Sequence, residues 1–387
     1  MFVAFALAVG ACAVQPPLSR PAPAPPSAIE APLAPAPLLP APLPPLGGVA
    51  PPTVPLAIPP PAVVAPATST SIALILPLDS AAYGRAAAAV KDGFIAAAAR
   101  AGASSRVQVI AHGDNDVLPA FAAAAKAGVA LAVGPLTRDD LKTVLAMAPR
   151  RPRTLALNQT DDGEPLPDAV YALTLAVEQD AVLLVRIARE QGAASIAVVA
   201  SDGSFQQRFA QAFIAEWRRA GGGAPRAFRF DASPERLGSL RRELSDDRID
   251  AVLLAVDGND AALAKAFLPR VRVYASSQVT DGLPVEMLYD LEGVQYIETP
   301  WLADPQNPAF AGIERGEYDN PFLQRLYALG IDGFSLAQVL AEPTPPANVE
   351  LDGATGHLSL SSSRIFAREG RLMTIHDGRV LAEPPAQ

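Results

Sequence analysis

The chain has one cysteine, three histidines and four lysines among its 387 residues. A single thiol cannot close an internal disulfide and cannot supply a Cys₄ or Cys₂His₂ zinc site. His112, His357 and His376 are scattered and none belongs to an HExxH pair, so the sequence points to no metal and no bound cofactor. The formal net charge of -9 argues against a nucleic-acid binder, which would normally show a basic patch. Enzyme signatures are missing too. There is no GxSxG nucleophile elbow, no glycine loop ending in Gly-Lys-Ser/Thr, and no GxGxxG after the first strand. No residue qualifies as catalytic, and the expectation is a protein that is not an enzyme.

What is abundant is proline. Twenty of the 40 prolines fall between Pro16 and Pro66, a stretch whose only charged side chains are Arg20 and Glu30. Such Ala/Pro-rich low complexity cannot form a packed core and is biased to polyproline II. Residues 13–70 therefore read as a disordered tether; ~50 residues at about 3.1 Å each would reach on the order of 150 Å. Ahead of it, Phe2 to Val9 is an apolar run too short to span a bilayer. Val9-Gly10-Ala11-Cys12 resembles the bacterial lipobox, so residues 1–12 read as a signal peptide and Cys12 as the lipidation site. No Lys or Arg precedes the apolar run. Ala13 after the cysteine implies, by the sorting rule of enteric bacteria, the periplasmic face of the outer membrane, with acyl chains as the anchor.

From about Ser71 the pattern changes. Short apolar runs such as Ile72–Leu78, Ser195–Ala200 and Ala251–Val256 alternate with amphipathic stretches such as Tyr83–Arg100, Glu178–Gln191 and Phe205–Ala220. Strands of four to seven residues alternating with helices of ten or more predict an α/β domain with parallel sheets. Two successive runs of the alternation, 72–175 and 176–297, predict two three-layer α/β/α lobes. A long helix follows over 319–340, with an interruption at Gly330 and Gly333, and then short strands. Asp377-Gly378 between two of those strands signals a type I′ hairpin, so the chain should end in small antiparallel hairpins.

In open parallel sheets, ligands bind beyond the carboxyl ends of the strands. The residues that follow each strand give the cleft candidates: Ser80, Tyr83, Thr137, Asn158, Ser201, Asp257, Ser276, Glu298 and Trp301. Ser, Thr, Asp and Asn at such positions also serve as helix caps and turn formers, and the two readings stay open for each.

Particular segments carry a family resemblance. They are Ile72-Ala-Leu-Ile-Leu-Pro-Leu-Asp-Ser80, Ala86-Ala-Ala-Ala-Val-Lys-Asp-Gly-Phe94, Val133-Gly-Pro-Leu136, Ala156-Leu-Asn158, Leu329-Gly-Ile-Asp-Gly-Phe334 and Gly353-Ala-Thr-Gly-His-Leu-Ser-Leu360. In this order they resemble the LppC/LpoA family of outer-membrane lipoproteins, the penicillin-binding-protein activators, built on the type I periplasmic-binding-protein fold. The resemblance covers about 72–381. It implies one bilobal domain over 71–387, with lobe one about 71–175 and 300–341 and lobe two about 176–299 and 342–387. It also implies chain crossings near 172–178, 297–302 and 341–350. The implied function is binding and regulation of a peptidoglycan synthase, a class A penicillin-binding protein. The well-studied form of the family has a helical-repeat domain before this one, where the present sequence has its Pro/Ala stretch. The alternative is a periplasmic solute-binding protein for an amino acid or similar small polar ligand.

Overall fold

The computed structural model describes residues 71–147, 151–160, 165–246 and 248–383. The lipidation site Cys12, the signal peptide and the tether lie outside the described residues. The first half contains β1 (Ile72–Leu76), α1 (Gly84–Arg100), β2 (Val107–Ala111), α2 (Val117–Lys126), β3 (Leu131–Val133), α3 (Arg138–Leu145), β4 (Thr154–Ala156) and β5 (Val170–Ala172). Then follow α4 (Val177–Glu190), β6 (Ile196–Ala200), α5 (Ser204–Arg219), β7 (Arg226–Arg229), α6 (Pro234–Asp246), β8 (Ala251–Ala255), α7 (Gly258–Lys265), β9 (Arg272–Ala275) and β10 (Val294–Glu298). The last section holds α8 (Pro300–Ala303), α9 (Pro321–Leu340), β11 (Glu350–Asp352), β12 (His357–Leu360), β13 (Phe366–Glu369), β14 (Arg371–His376) and β15 (Arg379–Ala382).

The first sheet has the order β2-β1-β3-β4-β5 and is parallel throughout. The parallel part of the second sheet, β7-β6-β8-β9-β10, repeats that order strand for strand; β14 and β15 extend it antiparallel from β10. Each sheet therefore reverses its strand order beside its first strand, between β1 and β3 and again between β6 and β8. Crevices open at such reversals in doubly wound sheets. The strands β1, β6 and β8 are buried along their whole length, which explains why they read as unbroken apolar runs and not as alternating ones. The edge strand β2 is only partly buried. Asp377 and Gly378 both take positive φ between β14 and β15, the conformation of the type I′ turn expected there.

The helix α9 is continuous over 20 residues. Gly330 does not interrupt it but admits α1. A Cβ on Gly330 would lie 2.0 Å from the Val90 carbonyl oxygen, and one on Gly93 would lie 2.0 Å from that of Tyr327. The two helices therefore cross backbone to backbone, with Phe94 and Phe334 packed edge to face at 5.3 Å beside the crossing.

The C-terminal section divides between the lobes. β14 and β15 join the second sheet. The third sheet, β11-β12-β13, instead sends Val349, Ala354, Leu358 and Phe366 into the core of the first lobe, alongside Leu74, Phe94 and Phe334. Ala172 at the end of β5 bridges to Ile365. The physical reason is the apolar face of this small sheet, which has α9 and the edge of the first sheet to cover it.

Candidate functional site

A cleft of about 500 Å³ opens beyond the carboxyl ends of β3, β4 and β5. Its walls come from both lobes: Leu136, Thr137, Arg138 and Asn158 on one side, Phe205 and Arg208 of α5 on the other, with Phe322 and Leu326 of α9 between them. This is within the size range of small-molecule sites.

Three of the expected cleft residues line it: Tyr83, Thr137 and Asn158. Thr137 is also the N-cap of α3. Its Oγ1 accepts from the Asp140 N–H at 3.2 Å and donates to Asp140 Oδ2 at 2.6 Å, a reciprocal cap. Asn158 donates to the Leu136 carbonyl at 2.9 Å and accepts from the Gln159 N–H and, at 3.4 Å, from Arg138 Nε. Tyr83 is 49% exposed at the cleft.

The other six are not among its lining residues. Ser80 is buried and its Oγ accepts from the N–H groups of Ala82 and Tyr83, shaping the turn into α1. The backbone carbonyl of Ser201 accepts from Gln207 Nε2. Asp257 is the N-cap of α7, accepting from the Asp260 N–H at 2.9 Å. Ser276 is buried, and its Oγ has no hydrogen-bond partner. Trp301 is wholly buried in the first lobe's core, stacked on Tyr327 at 5.5 Å with Nε1 donating to Gln324. Its ring also carries the Arg315 guanidinium 4.1 Å from its centroid.

Glu298 belongs to a buried charge cluster that sequence order hides. Arg325 of α9 donates to Glu298 Oε1 at 3.0 Å and Oε2 at 2.7 Å, and to both carboxylate oxygens of Asp281 at 2.8 and 3.0 Å. Burial works against the Arg325 charge, but Glu298 and Asp281 outweigh it and hold the guanidinium above its ordinary value. Two further carboxylates are buried. Asp332 of α9 accepts from the N–H groups of Ala354 and Thr355 and from Thr355 Oγ1. Burial nonetheless pushes its carboxyl up to about 6. Asp180 of α4 pairs with Arg368 of β13 at 2.5 Å, and burial raises its carboxyl despite that partner.

Among the described residues, one group meets the spacing of metal ligands: Glu292, His376 and Asp377, all exposed. His376 Nδ1 lies 2.5 Å from Glu292 Oε1, and the Asp377 N–H donates to Glu292 Oε2, so the group fastens the β14–β15 turn to the 285–291 segment.

Sequence reading did not single out Arg138, Arg208 and Phe322, which also line the cleft. Arg138 directly follows the predicted cap Thr137. Arg208 and Phe205 sit on an amphipathic helix whose cleft-facing side is defined only once the lobes are placed.

A family model described as "LppC putative lipoprotein" matches residues 54–376. Penicillin-binding protein activator LpoA of Escherichia coli K12 is 25% identical over 300 residues, covering 66% of this chain and 44% of that protein. The Haemophilus influenzae protein of the same name is 26% identical over 287 residues, covering 71% and 49%. The chain thus spans about half the length of the curated relatives it matches. Among solved structures, a "putative branched-chain amino acid ABC transporter" from Chromobacterium violaceum superposes with a TM-score of 0.70 at 34% identity, covering 79% of this chain and 99% of that one. The Haemophilus influenzae LpoA C-domain, described as a regulator of PBP1A, gives 0.70 at 23% identity, covering 81% and 100%. No helix among the described residues is long and apolar enough to cross a membrane. Two lobes of identical strand order, a third sheet packed on the first, and a family match across nearly the whole described region lead to one assignment: the chain belongs to the LppC lipoprotein family, on a periplasmic-binding-protein-like frame.

Proposed function

We propose that this chain is a non-enzymatic regulator that docks on a class A penicillin-binding protein from the outer membrane, held there by acyl chains on Cys12. The family match over 54–376 carries the reading. The described part corresponds to the whole of the LpoA C-domain that is described as a regulator. At the cleft Thr137 caps α3 and Asn158 holds the Leu136 carbonyl, which supports a binding role over a catalytic one. Docking belongs to the bilobal domain 71–387, and residues 13–70 serve as its tether to the membrane.

The test uses the lipidated full-length chain. Affinity capture from detergent-solubilised membranes should retain a class A synthase, and the purified pair should show altered glycan polymerisation or crosslinking. Cys12→Ala should release the protein from the membrane while leaving synthase binding in solution intact. Failure to bind any class A synthase of the same cell would sink the reading.

A further inference from the structure

The second sheet ends in a strand with an open edge. β15 is bound to β14 on one side and to no strand on the other among the described residues. Most of it is exposed, and Leu381 keeps 47% of its surface in water. Open edges are templates for further pairing unless charge or a covering segment blocks them. The other edges are less suited to it. β5 is bridged by Ile365, and β2 carries no charged residue to select a register. A symmetric pairing of β7 with itself would set Arg226 against Arg229, and like charges directly opposite are destabilising.

The ladder fixes which groups of β15 are free. The Glu383 N–H donates to the Leu372 carbonyl at 2.9 Å. By the alternation of an antiparallel pair, Arg379, Leu381 and Glu383 turn their N–H and C=O groups toward β14, while Val380 and Ala382 turn theirs outward. A second copy approaching antiparallel must therefore bond through Val380 and Ala382. In the register that sets Val380 against Ala382 of the second copy, both residues exchange N–H and C=O bonds, and Leu381 faces Leu381 at the two-fold axis. Arg379 then stands opposite Glu383 on both sides of that axis. Sliding one strand by one period of the pleat, in either direction, would set Leu381 against Arg379 or against Glu383 and lose the pairing of opposite charges.

The side chains agree with this arrangement. Arg379, Leu381 and Glu383 share one face of the strand. Arg379 has no ion pair among the described residues. Thr374 Oγ1 donates to Glu383 Oε1 at 2.6 Å, which leaves Oε2 for a second donor. Val380, on the opposite face, packs against the core that holds Met373 and Ile375, so the edge is held in place from behind. Tyr289 is 61% exposed and its ring lies against Gly378 at the start of β15, where it borders the same edge.

We infer that two copies of this chain associate through β15, edge to edge and antiparallel about a two-fold axis at Leu381, so that their second sheets run on as one. The contact is short for a stable interface, so the dimer forms with a Kd on the order of 100 µM. The inference does not rest on synthase docking, and its readouts are separate from that one.

The test is sedimentation velocity of the full-length Cys12→Ala chain, which lacks the only cysteine, from about 1 µM to about 1 mM. The mass should rise from monomer toward dimer across that range. Arg379→Glu should weaken association about tenfold, and Arg379→Glu with Glu383→Arg should restore it to within about threefold, because the facing charges are then merely exchanged. Crosslinking reads the register. In the Cys12→Ala background, Leu381→Cys places two thiols across the axis in a non-hydrogen-bonded pair with Cα atoms about 4.5 Å apart, within disulfide reach, whereas Arg379→Cys sets its two thiols well beyond it. With diamide as oxidant, the first variant should crosslink and the second should not. A monomer at about 1 mM overturns the inference. So does equal crosslinking of the two cysteine variants, or a charge-exchanged double variant as weak as Arg379→Glu. Crosslinks in cell extracts from Leu381→Cys to a different protein, with none to a second copy, assign the edge to that partner and overturn it too.

Discussion

Replacing Arg325 with methionine tests whether the two lobes are joined by charge. The guanidinium side chain is 10% exposed, Glu298 is 6% exposed and Asp281 22%. Arg325 makes five hydrogen bonds: two to Glu298, two to Asp281 and one to the Ser277 carbonyl. Removing it leaves Glu298 as a buried anion facing Asp281. The N–H and Oγ1 of Thr299 remain as its donors. Breaking one partner of a buried pair costs about 3–5 kcal/mol, because the other charge stays buried without compensation. Asp281, the more exposed acid, can rehydrate; Glu298 cannot. For a domain of this size about 2 °C in melting temperature accompanies each kcal/mol, so Arg325→Met should lower the Tm by about 6–10 °C. The double variant R325M/E298L removes the stranded charge and should recover at least half of that loss, since apolar replacements of buried pairs are often neutral. Thermal and urea unfolding of the two single variants and the double variant at pH 7 close the cycle. A single-variant loss below about 1 kcal/mol, or a double variant that loses the sum of the singles, would refute the reasoning.

Two further outcomes follow from the same buried groups and from the helix crossing. Asp332 carries a carboxyl raised to about 6 by burial, against an unfolded value of about 3.8. Between those values the native state holds a proton that the unfolded chain has lost, so its contribution to stability is full below pH 3.8 and is lost as pH rises through 6. The wild-type stability minus that of Asp332→Asn should fall by up to about 3 kcal/mol between pH 4 and pH 7 in urea titrations; a flat or rising difference contradicts it. Gly330→Ala sets a methyl group against the Val90 carbonyl and should lower stability by about 3 kcal/mol or more, whereas Gly333→Ala, whose nearest atom is 3.5 Å away, should lower it far less. Equal melting temperatures for the two variants would show that α1 and α9 do not need the close approach.

Elements whose signal is local were legible in the sequence. The central strands are apolar along their length because helices cover both faces, and Thr137 announces its cap through Asp140 three residues on. The type I′ hairpin at Asp377-Gly378 was legible for the same reason. Features that depend on long-range partners were not. Glu298 follows a strand as a ligand residue does, yet its use is set by Arg325, 27 positions later. Trp301 also follows a strand, but an adjacent turn of helix carries it into the core. Gly330 looks like a helix breaker in one dimension and is a crossing point in three. The strand β11 is three residues long and only partly buried, so it carries almost no periodic signal. The cleft arginines were hidden because surface arginines on amphipathic helices are common, and only the facing lobe distinguishes Arg208 from its neighbours.

The buried charges also bear on how a cleft protein can serve as a regulator. A binding protein that works by opening and closing needs two arrangements of its lobes within a few kcal/mol of each other. Here the two lobes are fastened by groups that tolerate water poorly as isolated charges. Arg325 ties α9 to the end of β10, and Asp180 ties α4 to β13. An opening motion that separated α9 from β10 would expose or strand the first pair at a cost of about 3–5 kcal/mol. A ligand shifts such an equilibrium only by the difference in its affinity for the two arrangements, and about 4 kcal/mol corresponds to roughly a thousandfold. The wild-type lobes should therefore keep one arrangement, whereas Arg325→Met, which loses the fastening, should populate a second. Distances between spin labels placed on the two lobes separate a fixed platform from a moving jaw. A two-peaked distance distribution in the wild type would mean that the buried charges do not hold the lobes.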